Sequence, residues 1–208
     1  MTQGDSHQRR PAQERTCEVR WIRHGRPGSE IARWFSRFSQ VPETRDDDYL
    51  IFPRMPGLSI KIRGGASFEV KQHRGVVGAL DIAGAAAGGI DSWIKRSIPL
   101  PGGVDLSRPV EGAAWRRVSK RRQIARFPID IPPGAPYCSV ELTEVEVMGQ
   151  SWWTLGFEAG GRGALGRIKR TAAVVFAEPL PAASALRVEE ACSYADWIHR
   201  LGHPGGTR

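Results

Sequence analysis

Charged side chains that alternate with apolar ones are the feature of this sequence best suited to chemistry. From Leu58 to Arg63, Lys61 and Arg63 share one face of a predicted strand, while the apolar side chains share the other. Several Lys and Arg side chains on one face suit an anion with many phosphate oxygens. The alternation recurs along the chain, and its charged positions are Glu18, Arg20, Lys61, Arg63, Glu69, Lys71, Lys120, Arg122, Glu141 and Glu158.

The alternation alone leaves the direction of the charged face open. An antiparallel sheet with one solvated face produces the same pattern. Alternatively, the charged faces point inward and line a water-filled bore, and the tryptophans and aliphatic faces pack outward under helices and loops. In such a bore the basic side chains would neutralise phosphates, and glutamates could hold a hard divalent ion through oxygen ligands.

The elements that must position these residues are strands. Periodicity and turn signals indicate about eight strands and two short helices, which is typical of a barrel or a sandwich. Leu58–Arg63 and Phe68–Lys71 form a predicted hairpin across Gly64 and Gly65. An apolar stripe predicts a helix that includes Ile31 and Phe38, and Ser193 is a predicted cap of a second helix.

Four other segments receive local interpretations. We interpret Gly75–Ile90, rich in glycine and alanine, as a loop or loose connection, and Asp46 to Asp48 as a solvated loop. Thr171–Ala177 reads as a strand without charge. Arg23-His24-Gly25 matches the histidine phosphatase motif, but the β-rich pattern downstream does not fit that class, so we favour a turn there.

Chain length, net charge and cysteine spacing limit the class of protein. The chain has 208 residues and a net charge of +8, which fits one domain with an anionic partner. Its three cysteines are far apart, so we expect reduced thiols, a cytoplasmic location and no zinc site. We expect no membrane segment. The predicted organisation is a disordered basic tail over residues 1–16, one domain over 17–202 and a flexible end over 203–208.

The run LSIKIRGGASFEVK, with RDDDYLIFP before it and SWIKRSI and SYADWIHRL after it, resembles the CYTH, or triphosphate tunnel, superfamily. The resemblance covers roughly Cys17 to Leu201 and depends on the order of the motifs. It implies a β-rich α+β fold: a closed antiparallel eight-stranded tunnel barrel with a few peripheral helices and inward charged faces. Members of the superfamily include inorganic triphosphatases, thiamine triphosphatases and class IV adenylate cyclases.

The resemblance also implies roles for individual residues. The superfamily opens on Glu-x-Glu-x-Lys, where this chain has Glu18, Arg20 and Ile22, so only the first glutamate matches. By resemblance, Mg²⁺ or Mn²⁺ would be held by Glu18, Glu141 and Glu158. The phosphate-binding set would be Arg20, Lys61, Arg63, Lys71, Lys120 and Arg122. No catalytic residue is assigned.

Three functions follow as hypotheses. The first is binding of a phosphate-containing small molecule or polyphosphate with metal-dependent hydrolysis of a triphosphate compound. The second is a binding module of the same fold without turnover. The third is a nucleic-acid-binding β-domain that interleaves basic strands with aromatic residues.

Overall fold

Eight antiparallel strands close on themselves around a central bore. The computed structural model describes residues 13–38, 40–51, 55, 57–101, 114–129, 132–181 and 184–202. The order around the barrel is β1-β5-β4-β3-β2-β6-β7-β8, and β8 pairs with β1. The strands are β1 (Gln13–His24), β2 (Val41–Ile51), β3 (Leu58–Arg63), β4 (Ser67–Ile82), β5 (Ala86–Pro99), β6 (Ala114–Phe127), β7 (Cys138–Val147) and β8 (Gln150–Gly160).

Helices lie at the periphery of this barrel. Within the described residues they are α1 (Ser29–Ser36), α2 (Ala164–Val175) and α3 (Tyr194–Gly202), with a short 3₁₀ turn over Val188–Glu190. The predicted fold, a closed eight-stranded antiparallel barrel with a few helices, is therefore confirmed. It is the tunnel architecture that the sequence resemblance implies. No helix of the described chain is long and apolar enough to span a membrane.

The larger hydrophobic core lies outside the barrel wall. Outward side chains of β1, β7 and β8, such as Trp21, Leu142 and Phe157, pack under α1 and α2. In α2, Ile168 and Val175 belong to the face that packs against this core. Because neighbouring residues of a strand face opposite sides, this outward apolar face leaves the alternate positions of the same strands to point into the bore.

A second, smaller core fills one end of the bore from inside. Trp197 and Ile198 of α3 pack there against apolar positions that include Ile22, Tyr49 and Val145. The expectation that the tryptophans would all pack outward is wrong, because Trp197 belongs to this end and Trp93 lines the bore. The cap is as predicted: Ser193 Oγ accepts a hydrogen bond from the Asp196 N–H at 3.1 Å.

The segment Gly75–Ile90 is the outer part of the β4–β5 hairpin, so the loop interpretation is wrong. Its glycines obscured the strand signal because they lack side chains that show alternation. Gly88 shows why one of them is needed. A Cβ there would lie 3.1 Å from the side chains of Val19 and Ala191, so glycine permits a close approach to β1.

Three further local interpretations need correction. Thr171–Ala177 does not form a strand, because Thr171 lies in α2, whose buried residues recur at helical spacing. The aspartates 46–48 lie on β2, not in a loop. The sheet begins at Gln13, so residues 13–16 of the predicted tail pair with β5. The remainder of that tail and the predicted flexible end, residues 1–12 and 203–208, lie outside the described residues.

We expect Trp197→Ala to destabilise the protein by about 3–5 kcal/mol, because it leaves a large cavity in the inner apolar core. Urea unfolding followed by circular dichroism measures the change. Val188→Ala is the control, since Val188 is 62% exposed and should shift stability by less than about 0.5 kcal/mol. Equal unfolding midpoints for the two variants would contradict the placement of α3 in the end of the bore.

Candidate functional site

The interior of the barrel beyond the apolar end is lined by charge. Every strand contributes at least one charged side chain to this lining. Eight of these side chains are cationic and four are carboxylates. The cations are Arg20, Arg45, Lys61, Arg63, Lys71, Lys95, Lys120 and Arg122, and the carboxylates are Glu18, Glu69, Glu141 and Glu158. Asp47 and Glu43, which pair with four of the cations, bring the carboxylates to six, so positive charge is still in excess.

All nine residues predicted from the sequence as phosphate or metal ligands belong to this lining. They are Arg20, Lys61, Arg63, Lys71, Lys120, Arg122, Glu18, Glu141 and Glu158. The open alternative of a solvated outer face is therefore wrong for these positions. Their roles toward phosphate or metal remain predictions.

Asp47 on β2 neutralises three cations. Its side chain is fully buried, with Oδ2 accepting from Lys120 Nζ at 2.8 Å and from Lys61 Nζ at 3.0 Å, and Oδ1 accepting from Arg45 Nε at 3.0 Å. Burial alone would raise the pKa of Asp47, but Lys120, Lys61 and Arg45 hold it well below its usual range. Burial, and then the neighbouring Lys61, lowers the pKa of Lys120 well below its usual value.

Lys71 on β4 bridges two carboxylates on neighbouring strands. Its Nζ donates to Glu18 Oε2 at 2.6 Å and to Glu158 Oε1 at 3.1 Å. Burial alone would lower the pKa of Lys71, but Glu158 and Glu18 outweigh it and raise the pKa. Burial would likewise raise the pKa of Glu158, yet Lys71 lowers it to about 2. Lys71 and Glu158 are therefore both charged at neutral pH.

Glu141 on β7 is shared by two arginines. Arg122 Nη2 lies 2.8 Å from Glu141 Oε1, and Arg20 Nη2 lies 3.6 Å from the same oxygen. Burial would raise the pKa of Glu141, but Arg20 and Arg122 hold it far below its usual value. Glu69 on β4 has the same kind of environment, with Arg63 and Lys61 within 3.5 Å of its oxygens.

Each carboxylate of the lining therefore forms ion pairs with Lys or Arg, and the carboxylates do not form a metal site. Within the described part of the chain, no three His, Cys, Asp or Glu side chains are grouped so as to hold a metal ion. Glu18 and Glu158 contact Lys71, and Glu141 contacts Arg20 and Arg122. A divalent ion needs several oxygens converging on one point without a cation between them. The arrangement of these residues does not fit the Mg²⁺ or Mn²⁺ that the resemblance implies.

The bore has a closed end and an open mouth. Tyr194 of α3 lies at the closed end, with Lys120 Nζ 4.1 Å and Arg20 Cζ 4.6 Å from the centre of its ring. The inner cavity has a volume of about 80 Å³, enough for several water molecules. It leads into an outer chamber of about 490 Å³, which shares Arg63 and other lining residues with it.

Two donors at the inner cavity have no hydrogen-bond partner among the described residues. They are Arg20 Nε and the indole Nε1 of Trp93. Both atoms are shielded from solvent, as are the unpaired Nε1 atoms of Trp152 and Trp197 outside this lining. The lining includes neither histidine nor cysteine in the described chain, and therefore offers no ready nucleophile of those types.

Sequence reasoning missed four residues of the site. Asp47 and Arg45 belong to an alternating run with Glu43 and Tyr49, but the three consecutive aspartates suggested a solvated loop. Lys95 lies two residues after Trp93 on β5, and the period of two places both side chains on one face of the strand, so its direction could have been found. For Tyr194 there was no signal, because its position depends on how α3 enters the barrel end.

Comparison with known proteins gives only distant likenesses. No protein-family model matches the chain, and no curated protein matches it. Among solved structures, it is similar to a conserved hypothetical protein from Pyrococcus furiosus at 14% identity and a TM-score of 0.46, over 86% of this chain and 98% of that one. It is also similar to a protein from Pyrococcus horikoshii OT3 at 14% identity and a TM-score of 0.48, over 88% and 99% of the two chains.

A third likeness is to the triphosphatase of the Mimivirus capping enzyme. The identity is 14% and the TM-score 0.46, over 81% of this chain and 90% of that chain. These values describe a loose likeness of shape. What this chain binds has to be argued from its own residues.

We expect Asp47→Asn to destabilise the protein at pH 7 by about 3–5 kcal/mol, because it leaves buried cations without their carboxylate. The lowered pKa of Asp47 means that its contribution is fully present above the unfolded value of about 3.9 and is lost as the pH falls toward the folded pKa. Urea unfolding measured from pH 7 to pH 2 should therefore show that the difference in free energy of unfolding between wild type and variant becomes smaller in acid.

The neighbouring Asp48→Asn is the matched control. Asp48 pairs on the outer surface with the exposed Arg117, an interaction worth at most about 1 kcal/mol. The role assigned to Asp47 would be contradicted if Asp47→Asn lowered the free energy of unfolding by no more than Asp48→Asn does. It would also be contradicted if the loss caused by Asp47→Asn did not change with pH.

Proposed function

We propose that the bore binds a phosphate-rich anion, such as inorganic tripolyphosphate or the phosphate chain of a nucleotide. The observation that carries the proposal is the excess of cations over carboxylates in a cavity that is closed at one end. A ligand that brings only negative charge and acceptor oxygens complements such a cavity.

Several phosphates fit this lining better than one. Arg122, Arg63 and Lys95 border both the inner cavity and the outer chamber, while Lys61 and Lys120 lie deeper. A linear chain of phosphates entering from the mouth would meet these cations in succession. Arg126 stands in the outer chamber with its guanidinium 5.0 Å from the ring centre of Tyr137, so the mouth also offers a basic and aromatic rim.

The internal ion pairs determine how such an anion would bind. Each carboxylate of the lining already has cationic partners, so it repels an incoming anion less than a free carboxylate would. The cations could bind phosphate oxygens and keep their carboxylate partners at the same time, because each Lys or Arg has more N–H donors than its ion pairs use.

Nucleic-acid binding finds less support. That hypothesis needs basic and aromatic side chains on an accessible face, where bases can stack. The basic residues of the alternating strands face the interior, and on the outer wall Arg117 and Arg121 are paired with Asp48 and Glu144. We propose a cytoplasmic location as well, supported by the three free cysteines.

The test is a thermal-shift and calorimetry panel of phosphate, pyrophosphate, tripolyphosphate and ATP on the full chain. We expect the melting temperature to rise with the number of phosphates, because a ligand that binds only the folded state stabilises it. Arg63→Gln should weaken tripolyphosphate binding about tenfold or more, the effect of losing one charged hydrogen-bond donor. Its partner Glu69 keeps Lys61 and Lys95, so folding should be preserved.

Arg117→Gln is the control, since its side chain is 65% exposed on the outer wall. It should bind tripolyphosphate like the wild type. Equal losses in the two variants, or no thermal shift with any of the anions, would refute binding in the bore. Release of phosphate in the same samples, measured by a colorimetric assay, would add hydrolysis to the function.

A further inference from the structure

Arg20 on β1 lies among the carboxylates that the resemblance assigns to a metal. Its side chain is nearly fully buried, at 4% exposure. Nη1 donates to Thr154 Oγ1 at 3.1 Å, Nη2 lies 3.6 Å from Glu141 Oε1, and the guanidinium stacks over the ring of Tyr194. Three separate contacts thus hold the Arg20 guanidinium in place among these carboxylates.

The neighbouring strand makes room for that cation. Gly156 on β8 pairs with Arg20 on one side and with Glu141 on the other. A Cβ at Gly156 would lie 2.8 Å from Arg20 Cζ and Nη1, closer than side-chain atoms can approach. The guanidinium therefore occupies a space that a side chain at position 156 would fill.

The charges around Arg20 are balanced without a metal. Three cations, Arg20, Arg122 and Lys71, face three carboxylates, Glu141, Glu18 and Glu158, so the two kinds of group are equal in number. Burial would lower the pKa of Arg20, but Glu141 raises it, so the guanidinium stays charged. A divalent ion here would have to displace Lys71 and would lie beside a fixed positive charge, which repels it.

We infer that Arg20 replaces a divalent cation in this bore, so that the protein binds its phosphate-rich ligand without metal. This inference builds on the proposed function. It makes Arg20 the residue that determines metal exclusion: the positive charge that a divalent ion would supply to the phosphates is supplied by the protein chain itself.

The first experiment measures tripolyphosphate binding by calorimetry on the full chain, once in EDTA and once with excess Mn²⁺. We expect binding in EDTA at least as tight as binding with Mn²⁺. Binding that appears only with Mn²⁺, or that tightens about tenfold or more with it, would overturn the inference while leaving anion binding in place. No binding under either condition would overturn the proposed function and, with it, the claim of metal-free binding.

The second experiment needs no anion, so it tests metal exclusion independently of the proposed function. Electron paramagnetic resonance counts the Mn²⁺ bound by the wild type and by Arg20→Glu, in which a carboxylate replaces the guanidinium. We expect no bound Mn²⁺ at millimolar concentration in the wild type and a measurable bound fraction in the variant. Equal Mn²⁺ binding by the two proteins would overturn the inference.

Two further variants keep this result interpretable. Arg20→Gln removes the charge with a smaller change in shape, and serves if Arg20→Glu does not fold by circular dichroism. It should also gain Mn²⁺ affinity, and an unchanged affinity in a folded Arg20→Gln protein would count against the inference. Arg23→Gln is the matched control: Arg23 lies on the same strand but pairs outside the bore with Glu190, so Mn²⁺ binding should stay absent.

Discussion

Charged side chains point into the closed barrel from all eight strands, and most of them are removed from water, so they must be paired with one another. An ionised side chain removed from water is costly unless partners and hydrogen bonds compensate it. Here Asp47, Glu141 and Lys71 each contact two or more groups of opposite charge. These contacts join β1, β2, β3, β4, β6, β7 and β8, so the ion pairs also tie the wall of the barrel together across its interior.

That constraint explains where the apolar residues lie. Since alternate positions of each strand are used for the charged lining, the main hydrophobic core can form only outside the wall, under α1 and α2. The inner apolar end, filled by α3, closes the bore where its lining changes from charged to aliphatic. The open side of the site is the chamber bordered by Arg63, Arg122 and Arg126.

The same pairing shapes the proposed function. A bore with balanced charges would be a structural feature and nothing more, but this lining has more cations than carboxylates. In the proposed function this excess complements a phosphate-rich anion, while Arg20 is a cationic partner of Glu141 that belongs to the chain itself. Under these proposals Arg20, which stands where the superfamily named in the resemblance has a glutamate, supplies the positive charge that a bound cation would otherwise bring.

The charged positions and their alternation with apolar residues can be read directly from the sequence. From this came the β3–β4 hairpin and the charged positions of the strands, because a period of two is a local property of a strand. The nine candidate site residues were chosen among these positions by the resemblance. Alternation could not determine the inward direction, which followed from the resemblance and was decided by closure of the barrel. Tertiary structure alone decided the burial of Asp47, the strand in Gly75–Ile90 and the place of Tyr194. Each depends on neighbours distant in sequence: the cations facing Asp47, the β1 side chains that pack against Gly88, and the barrel end that α3 enters.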